Sequence, residues 1–284
     1  MRFTKMHGIG NDYIYFNCLD HDIKNPNDLS VALSDRHFGV GGDGIVMIMR
    51  SDVADFRMRM FNADGSEGKM CGNATRCIGK YVYEKGLTDR TSFTLETLGG
   101  IKKLDLNVDN GVVISVKVNM GTAILSPDKI PVLLDGDAVI GREVVVGGNQ
   151  HVITCVSMGN PHCVIFTENI DELDLEKIGP LYENDPIFPE RVNTEFVEII
   201  NNKTLKMRVW ERGSGETWAC GTGASAVCVA AVLNGICEYN TDVTVMLRGG
   251  NLVINYNDDG TVYMSGPASF VFEGETNKEF DIYA

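Results

Sequence analysis

Two cysteines, Cys71 and Cys220, each stand between a loop rich in Gly, Ser, Asp and Glu and a segment of helical length. The N-terminus of a helix presents unpaired N–H groups and a partial positive charge, so it binds a carboxylate and favours a thiolate. The next residues, Gly72 and Gly221, allow the backbone to approach a ligand closely. Both positions therefore fit a reactive thiol beside a site for an anion.

Lowering the pKa of such a thiol requires more than the helix dipole. A shift from about 8.5 to about 7 corresponds to roughly 2 kcal/mol. A helix dipole contributes only about 0.3–1 kcal/mol, so we expect direct N–H bonds to sulfur to supply the rest.

The two cysteines occupy equivalent places in a repeat. Cys71 follows FNADGSEGKM and Cys220 follows WERGSGETWA, 149 residues later. The same offset relates five further pairs: Glu67 and Glu216, Gly72 and Gly221, Gly86 and Gly235, Arg57-Met58-Arg59 and Lys206-Met207-Arg208, Gly10-Asn11 and Gly159-Asn160. One constant offset over about 80 residues indicates two copies of one fold, which begin near Met1 and near His151.

The elements that position the cysteines follow from the same pattern. Helices are predicted at 74–85 and 224–234, each ended by a glycine, Gly86 or Gly235. The second helix is apolar nearly all round and should be buried. β-Branched or alternating runs predict strands at 13–16, 55–60, 112–118, 163–166, 206–209 and 242–247. We therefore predict an α+β fold of two pseudo-symmetric domains, each a helix wrapped by strands.

Two similar halves place two similar groups on either side of a substrate. Inversion of a stereocentre needs this arrangement, because a base takes a proton from one face and an acid returns one to the other. One cysteine is then the thiolate and the other the thiol, and the roles exchange in the reverse direction. The pair predicts a cofactor-independent amino-acid epimerase.

The composition excludes several classes of binding partner. A net charge of −14 argues against nucleic acid and against anionic lipid surfaces. No apolar run approaches the roughly 20 residues of a membrane span, and the N-terminus has no apolar signal core, so we expect a cytoplasmic protein that does not bind membranes. The eight cysteines contain no CxxC pair or common zinc spacing, and no metal is expected.

Five segments resemble the diaminopimelate epimerase family, in the order of that family and across nearly the whole chain. They are KMHGIGND at 5–12, FNADGSE and CGN at 61–73, SMGNPHC at 157–163, PERVN at 189–193, and ERG, ET and ACGTG within 211–223. The resemblance implies interconversion of LL- and meso-2,6-diaminoheptanedioate, without pyridoxal phosphate or metal, in lysine and cell-wall biosynthesis. It also implies a homodimer, and a helix inside a curved mixed sheet in each domain.

The family resemblance also implies domain limits. In that fold the C-terminus packs on the first domain, so the expected first domain is 1–121 plus 267–284, carrying Cys71. The expected second domain is 122–266, carrying Cys220.

Site residues are carried over from the family position by position. Cys71 and Cys220 become the acid/base pair, Glu211 faces an ammonium group, Asn11 lies near the reacting centre, and His162 stands beside it. The carboxylate at the reacting carbon is held by backbone amides, those of Gly72, Asn73, Gly221 and Thr222. The distal carboxylate is held by the Arg212 fork with three amide side chains, those of Asn62, Asn160 and Asn193.

Plainer interpretations exist for several of these residues. Asn in Gly-rich loops commonly forms turns, Glu211-Arg212 can be a surface ion pair, and His162 can be structural. Gly44 departs from family members that carry Gln at this position. Because Gly44 is the repeat partner of Asn193, we expect one half to lack a side-chain contact, replaced by water or backbone.

Three other functions fit parts of the sequence. The first is another two-cysteine racemase of this fold, acting on histidine, proline or hydroxyproline; Arg212 and its Asn neighbours favour a substrate with a second carboxylate instead. The second is nucleotide binding, since 221–226 fits GxGxxA at a helix start, a weak pattern alone. The third is a non-catalytic scaffold, in which both cysteines would be inert.

Overall fold

A computed structural model describes residues 1–283 of the chain. Its strands are β1 Arg2–Gly8, β2 Asn11–Cys18, β3 Gly44–Met49, β4 Phe56–Asn62, β5 Glu67–Gly68, β6 Ser92–Thr97, β7 Gly100–Asp109, β8 Val112–Thr122, β9 Arg142–Val146, β10 Asn149–Ser157, β11 Pro161–Phe166, β12 Asn193–Asn201, β13 Thr204–Glu211, β14 Gly215–Glu216, β15 Asp242–Leu247, β16 Gly250–Tyr256, β17 Thr261–Gly266 and β18 Ser269–Glu275. Its helices are α1 Pro26–Ser34, α2 Gly72–Glu84, α3 Leu175–Glu183 and α4 Gly221–Leu233, with short 3-10 turns at Pro127–Lys129, Ile170–Glu172 and Lys278–Tyr283. Within residues 1–283, no helix is long and apolar enough to cross a membrane.

The chain divides into two compact units. The first contains residues 1–118 and 266–284, and the second contains residues 119–265. The C-terminal strand β18 pairs with β1, which explains why the end of the chain belongs to the first unit.

Each unit repeats one pattern of strand pairing. In the first, β18, β1 and β2 pair antiparallel, β2 is parallel to β3, β3 to β5 are antiparallel, and β4 is parallel to β6, which leads to β7 and β8. In the second, β9 to β17 repeat every one of these relations in the same order. The predicted α+β fold of two similarly built halves is confirmed.

In the strands that precede the helices, the register reproduces the sequence offset residue for residue. Ile14 lies opposite Ile45, and Cys163 lies opposite Thr194 at 149 residues later. Phe61 lies opposite Glu67, and Trp210 lies opposite Glu216. Farther along, Phe56 pairs with Leu95 but Leu205 pairs with Val245, one residue out of step, so the repeat gains one residue after the helices.

The two helices that follow the cysteines are capped alike at both ends. Each begins directly after its cysteine, two to three residues earlier than predicted. Each ends at a glycine with positive φ, +69° at Gly86 and +72° at Gly235. The next amides, of Leu87 and Ile236, reach back to carbonyls five residues earlier, which is a Schellman cap. The predicted glycine caps are confirmed.

A separate apolar core fills each unit. In the first, Phe3, Ile14, Leu29, Ile45 and Phe61 are among the buried residues between the sheet and α1. In the second, a core cluster packs strands against α3, and α4 contacts β10, β11, β12, β15 and β16. Along α4, Ala224 and every residue from Ala226 to Ala231 are fully buried, as predicted from its apolar sequence.

Candidate active site

Cys71 is the N-cap of α2, and its thiol is half-buried. Its backbone is extended, which turns Sγ back over the first turn of the helix, where it accepts a hydrogen bond from the Ala74 amide at 3.5 Å. On its other side, Sγ lies 3.4 Å from Oδ1 of Asn11, which also accepts a hydrogen bond from the side-chain amide of Asn73 at 3.2 Å. Three predicted residues of the first unit are thus brought together.

A charged network in the loop between α1 and β3 holds Asn11 in place. The Asn11 amide donates to Asp43 at 2.7 Å, and Asp43 also accepts the backbone amide of Asp12 at 3.0 Å. Arg36 bridges Asp12 and Asp43, and Lys5 forms an ion pair with Asp12 at 2.5 Å. This support fixes the oxygen that Asn11 directs at the Cys71 thiol.

Cys220 is the N-cap of α4 in the same geometry. Its Sγ accepts a hydrogen bond from the Gly223 amide at 3.3 Å, the exact repeat partner of the Ala74 amide, and lies 3.5 Å from the hydroxyl of Thr222. A Cβ at Gly223 would stand 2.7 Å from a carboxylate oxygen of Glu195 and 3.1 Å from Sγ. Glycine here therefore lets the helix start, the thiol and the carboxylate pack together.

The electrostatic environment of Cys220 is acidic. The thiol is 4% exposed, and burial raises its pKa well above the usual value, assisted by the charges of Glu211 and Glu195. Burial also raises the pKa of Glu211, opposed by hydrogen bonds from Thr217 and from the Cys220 thiol. Burial and the two carboxylates therefore favour the protonated thiol at Cys220, which donates a hydrogen bond to Glu211.

His162 is fully buried beside this group. Its Nδ1 lies 2.7 Å from Oε1 of Glu195, and its Nε2 lies 3.1 Å from Oδ1 of Asn160. The Asn160 amide donates to the Thr222 hydroxyl at 3.3 Å, which completes a chain of polar contacts back to Cys220. Cys220, Thr222, Asn160 and His162 are thus brought together within the second unit.

Arg212 and Asn193 form a second group in this unit. Oδ1 of Asn193 accepts the backbone amide of Arg212 at 2.8 Å, and the guanidinium donates to the carbonyl of Glu190 at 2.7 Å. Glu183 buttresses the turn, since it accepts the Gly213 amide and the Trp210 indole N–H. The Arg212 head is half-buried and anchored through one of its five N–H donors.

Asn62 and Gly44 lie opposite each other on strands β4 and β3. The Asn62 amide donates to Ser66 within its own turn, as a turn-forming Asn does. At Gly44, φ is +152° and a Cβ would lie 2.0 Å from the carbonyl oxygen of Phe61. This backbone has no space for a side chain, and the replacement of the contact by water or backbone stays a prediction.

Comparisons with known proteins identify the chain. The sequence profile named Diaminopimelate epimerase matches residues 3–126 and 154–271. The chain belongs to the diaminopimelate epimerase family. A relative of that name in Acetivibrio thermocellus is 56% identical over 278 residues, which cover 98% of this chain and 99% of the relative. Another in Methanococcus maripaludis is 56% identical over 276 residues, with 97% and 99% covered.

Solved structures share the fold of this epimerase family at low sequence identity. A phenazine biosynthesis protein of the PhzF family from Bacillus anthracis superposes with a TM-score of 0.71 at 17% identity, covering 98% of this chain and 99% of that one. A hydroxyproline epimerase from Agrobacterium vitis gives 0.67 at 12% identity, covering 97% and 90%. These likenesses establish the architecture alone.

Sequence reasoning missed three side chains and one glycine that contact residues of the candidate site. Glu195, Asp43 and Arg76 were not singled out, nor was the role of Gly223. A signal existed for Glu195, a charge beside the apolar residues of β12, and for Arg76, a charge within α2. Within residues 1–283, no group of three His, Cys, Asp or Glu side chains is placed to hold a metal ion.

Proposed function

We propose that the protein interconverts LL- and meso-2,6-diaminoheptanedioate by proton transfer between the substrate α-carbon and the thiols of Cys71 and Cys220. The observation that carries the proposal is the matched pair of N-cap cysteines, each with sulfur accepting the N3 amide of its helix. Full-length similarity to proteins named diaminopimelate epimerase supports the choice of substrate.

In each turnover one thiolate removes the α-proton from one face of the carbon, and the other thiol delivers its proton to the opposite face. The C–H bond that breaks is replaced by a new C–H bond of opposite configuration, and the two cysteines end with exchanged protonation. Exchange with solvent restores the starting state. Glu211 and His162 support the Cys220 half, because the Glu211 carboxylate accepts a hydrogen bond from the Cys220 thiol and so orients the proton that this thiol delivers when it acts as acid.

The carboxylate on the reacting carbon binds the amides of the two helix starts. Gly72 and Asn73 begin α2, while Gly221 and Thr222 begin α4, and all four amides belong to first turns whose N–H groups have no partner within the helix. They stabilise the carbanion as its negative charge spreads into the carboxylate. The same dipoles favour a thiolate at either cysteine.

The distal end of the substrate binds through Arg212, Asn62, Asn160 and Asn193. The Arg212 fork meets a planar carboxylate in two parallel hydrogen bonds, and Asn193 positions the backbone from which it extends. Glu211 faces the ammonium group, and Asn11 lies near the reacting carbon, where it contacts the Cys71 thiol.

Exchange of the substrate α-proton with deuterium, run separately from the LL and the meso isomer, tests the mechanism. A two-base enzyme incorporates solvent deuterium into the product of each direction before it does so into recovered substrate. Equal early labelling of substrate and product from both isomers would instead indicate one base that serves both faces.

Substrate choice is tested by offering histidine, proline and hydroxyproline beside diaminopimelate. We expect diaminopimelate turnover to dominate, and Arg212→Met to raise KM for diaminopimelate strongly through loss of the carboxylate contact. Faster racemisation of a monocarboxylic amino acid would favour the alternative racemase. The start of α4 gives nucleotide binding no support, since the Gly223 amide of that GxGxxA pattern is bonded to Cys220.

The two compact units correspond, in our proposal, to the two copies of a duplicated epimerase domain, 1–121 with 267–284 and 122–266. We also propose a cytoplasmic homodimer that acts in lysine and cell-wall precursor synthesis, on the strength of the family. Light scattering coupled to gel filtration measures the assembly, and a single 31.1 kDa species would refute the dimer.

A further inference from the structure

Arg76 is a buried cation in the helix that begins at Cys71. Its side chain is fully buried, and its position in the repeat corresponds to Ser225 in α4. The two helices are otherwise built alike, with the same length and the same caps. One helix therefore carries a positive charge that the other lacks.

The contacts of Arg76 draw its head back towards the start of the helix. Nη1 lies 3.4 Å from the carbonyl of Gly72, and Nε donates to the carbonyl of Pro267 at 3.2 Å. Nη2 lies so close to Gly8 that a Cβ there would stand 3.0 Å away. The guanidinium is thus fixed beneath the turn that bears Cys71. It is held there by the backbone of β1, of the first turn of α2 and of the segment before β18.

Cys77, Cys71 and Tyr15 are three ionisable groups that interact with this charge. Burial raises the pKa of Cys77 to about 12, and burial raises the pKa of Tyr15 well above its usual value, so both are neutral near pH 7. Cys71 differs, because it is half-buried and its sulfur accepts the Ala74 amide. The contact that opposes ionisation is with Asn11, whose Oδ1 accepts from the thiol and whose amide donates to Asp43. Cys71 is the group of the three that can respond to the charge by ionising.

Cys220 has the opposite surroundings. The strands packed against it supply carboxylates, Glu211 from β13 and Glu195 from β12, where the first copy has Asn62 and Val46. Thr222 and the Gly223 amide face it from α4. A negative field keeps a thiol protonated, while a positive field favours the thiolate.

We propose that Arg76 is a positioning residue that makes Cys71 the thiolate of the resting enzyme, with Cys220 as its thiol partner. The proposal deepens the two-base function above and rests on it for its catalytic meaning. The protonation state of the resting enzyme then suits one direction of the reaction. The isomer that Cys71 deprotonates is turned over without a prior proton exchange. The reverse direction begins only after a proton has moved from Cys220 to Cys71 by way of solvent or of substrate.

Alkylation of each thiol as a function of pH tests the proposal without using turnover. Iodoacetamide reacts with the thiolate, and peptide mass spectrometry measures the modified fractions of Cys71 and Cys220 between pH 5 and 10. In the unchanged protein we expect Cys71 to react at the lower pH. In Arg76→Met we expect the midpoint for Cys71 to rise by about one pH unit, with Arg76→Lys restoring part of the shift.

Lys80→Met is the matched control, since Lys80 is a buried cation one turn farther along α2 whose ammonium pairs with Glu84. We expect it to leave the Cys71 midpoint unchanged. The acid limb of the pH profile of kcat/KM should move with the alkylation midpoint in the Arg76 variants.

Two results would overturn the proposal: Cys220 reacting at lower pH than Cys71 in the unchanged protein, or a Cys71 midpoint that is the same in Arg76→Met and Arg76→Lys as in the unchanged chain. The first needs no variant and so stands even if Arg76→Met fails to fold. Failure of the epimerase function looks different, because diaminopimelate would not be turned over while the Cys71 midpoint still depended on Arg76.

Discussion

The imidazole Nδ1 of His162 lies 2.7 Å from Oε1 of Glu195, and both side chains are fully buried. At the equivalent places the first copy has Tyr13 and Val46. The pair is therefore a feature of the Cys220 half alone. It orients the ring so that Nε2 faces Asn160, and its carboxylate adds negative charge beside Cys220.

We expect Glu195→Gln to lower kcat/KM about tenfold to a hundredfold, because the ring of His162 loses the charged partner that fixes it. Removal of this negative charge should also lower the pKa of Cys220, so its alkylation should begin at lower pH. Glu195→Asp, which keeps the charge, is the control. Unchanged activity together with an unchanged Cys220 titration would show that the pair serves packing only.

Alanine at either N-cap cysteine is expected to abolish epimerisation, with at least a thousandfold loss of kcat. The fold should survive, since each N-cap contributes about 1 kcal/mol. Each variant keeps one thiol, which reaches one face of the substrate α-carbon. We therefore expect each variant to exchange the α-proton of a single isomer with solvent, and the isomer should differ between Cys71→Ala and Cys220→Ala. Exchange of the same isomer by both variants would contradict the assignment of one thiol to each face.

The fold could be predicted from the repeat because one constant offset relates identical strand registers in the two copies. The helix ends were predictable for a local reason, the left-handed glycines Gly86 and Gly235. The buried partners were not, since the sequence gives no sign that Glu195 on β12 meets His162 on β11. Gly44 shows the same limit, because its steric restriction comes from Phe61 on the adjacent strand.

Gly44→Ala tests that restriction. A Cβ placed 2.0 Å from the Phe61 carbonyl forces two strands apart, so we expect a loss of about 3 kcal/mol in the free energy of unfolding. Gly111→Ala is the control, with φ of +80° but nothing within 4 Å of the added atom, and should cost only about 1 kcal/mol. Equal losses in urea unfolding would show that the backbone at Gly44 adapts.

The repeated ion pairs behind the two loops offer a matched comparison. Arg59 binds Glu67 at 2.7 and 3.1 Å, and Arg208 binds Glu216 at 2.7 and 2.9 Å. Glu216 also pairs with Arg248 at 2.9 Å, so the comparison is made in chains that carry Arg248→Met. The side chain of Glu67 is 28% exposed and that of Glu216 only 8%. We expect Glu216→Gln to cost about 3 kcal/mol in the free energy of unfolding and Glu67→Gln below 1 kcal/mol. A larger loss for Glu67→Gln would mean that burial does not set the strength of these pairs.

Cys77 predicts how stability depends on alkaline pH. Burial raises its pKa from 9.0 to about 12, so above pH 9 the unfolded chain loses this proton while the folded chain keeps it. The free energy of unfolding should therefore fall as pH rises from 9 towards 12, by about 1.4 kcal/mol per pH unit for this thiol. In Cys77→Ala that contribution disappears, so the free energy of unfolding, measured in urea between pH 8 and 10.5, should fall less steeply with pH by that amount.

The control is Ile78→Val, which makes a neighbouring cavity without removing a titrating group. It should lower stability about equally at each pH and keep the slope. An unaltered slope in Cys77→Ala would place the alkaline loss at other buried thiols, such as Cys18, whose pKa burial also raises to about 12.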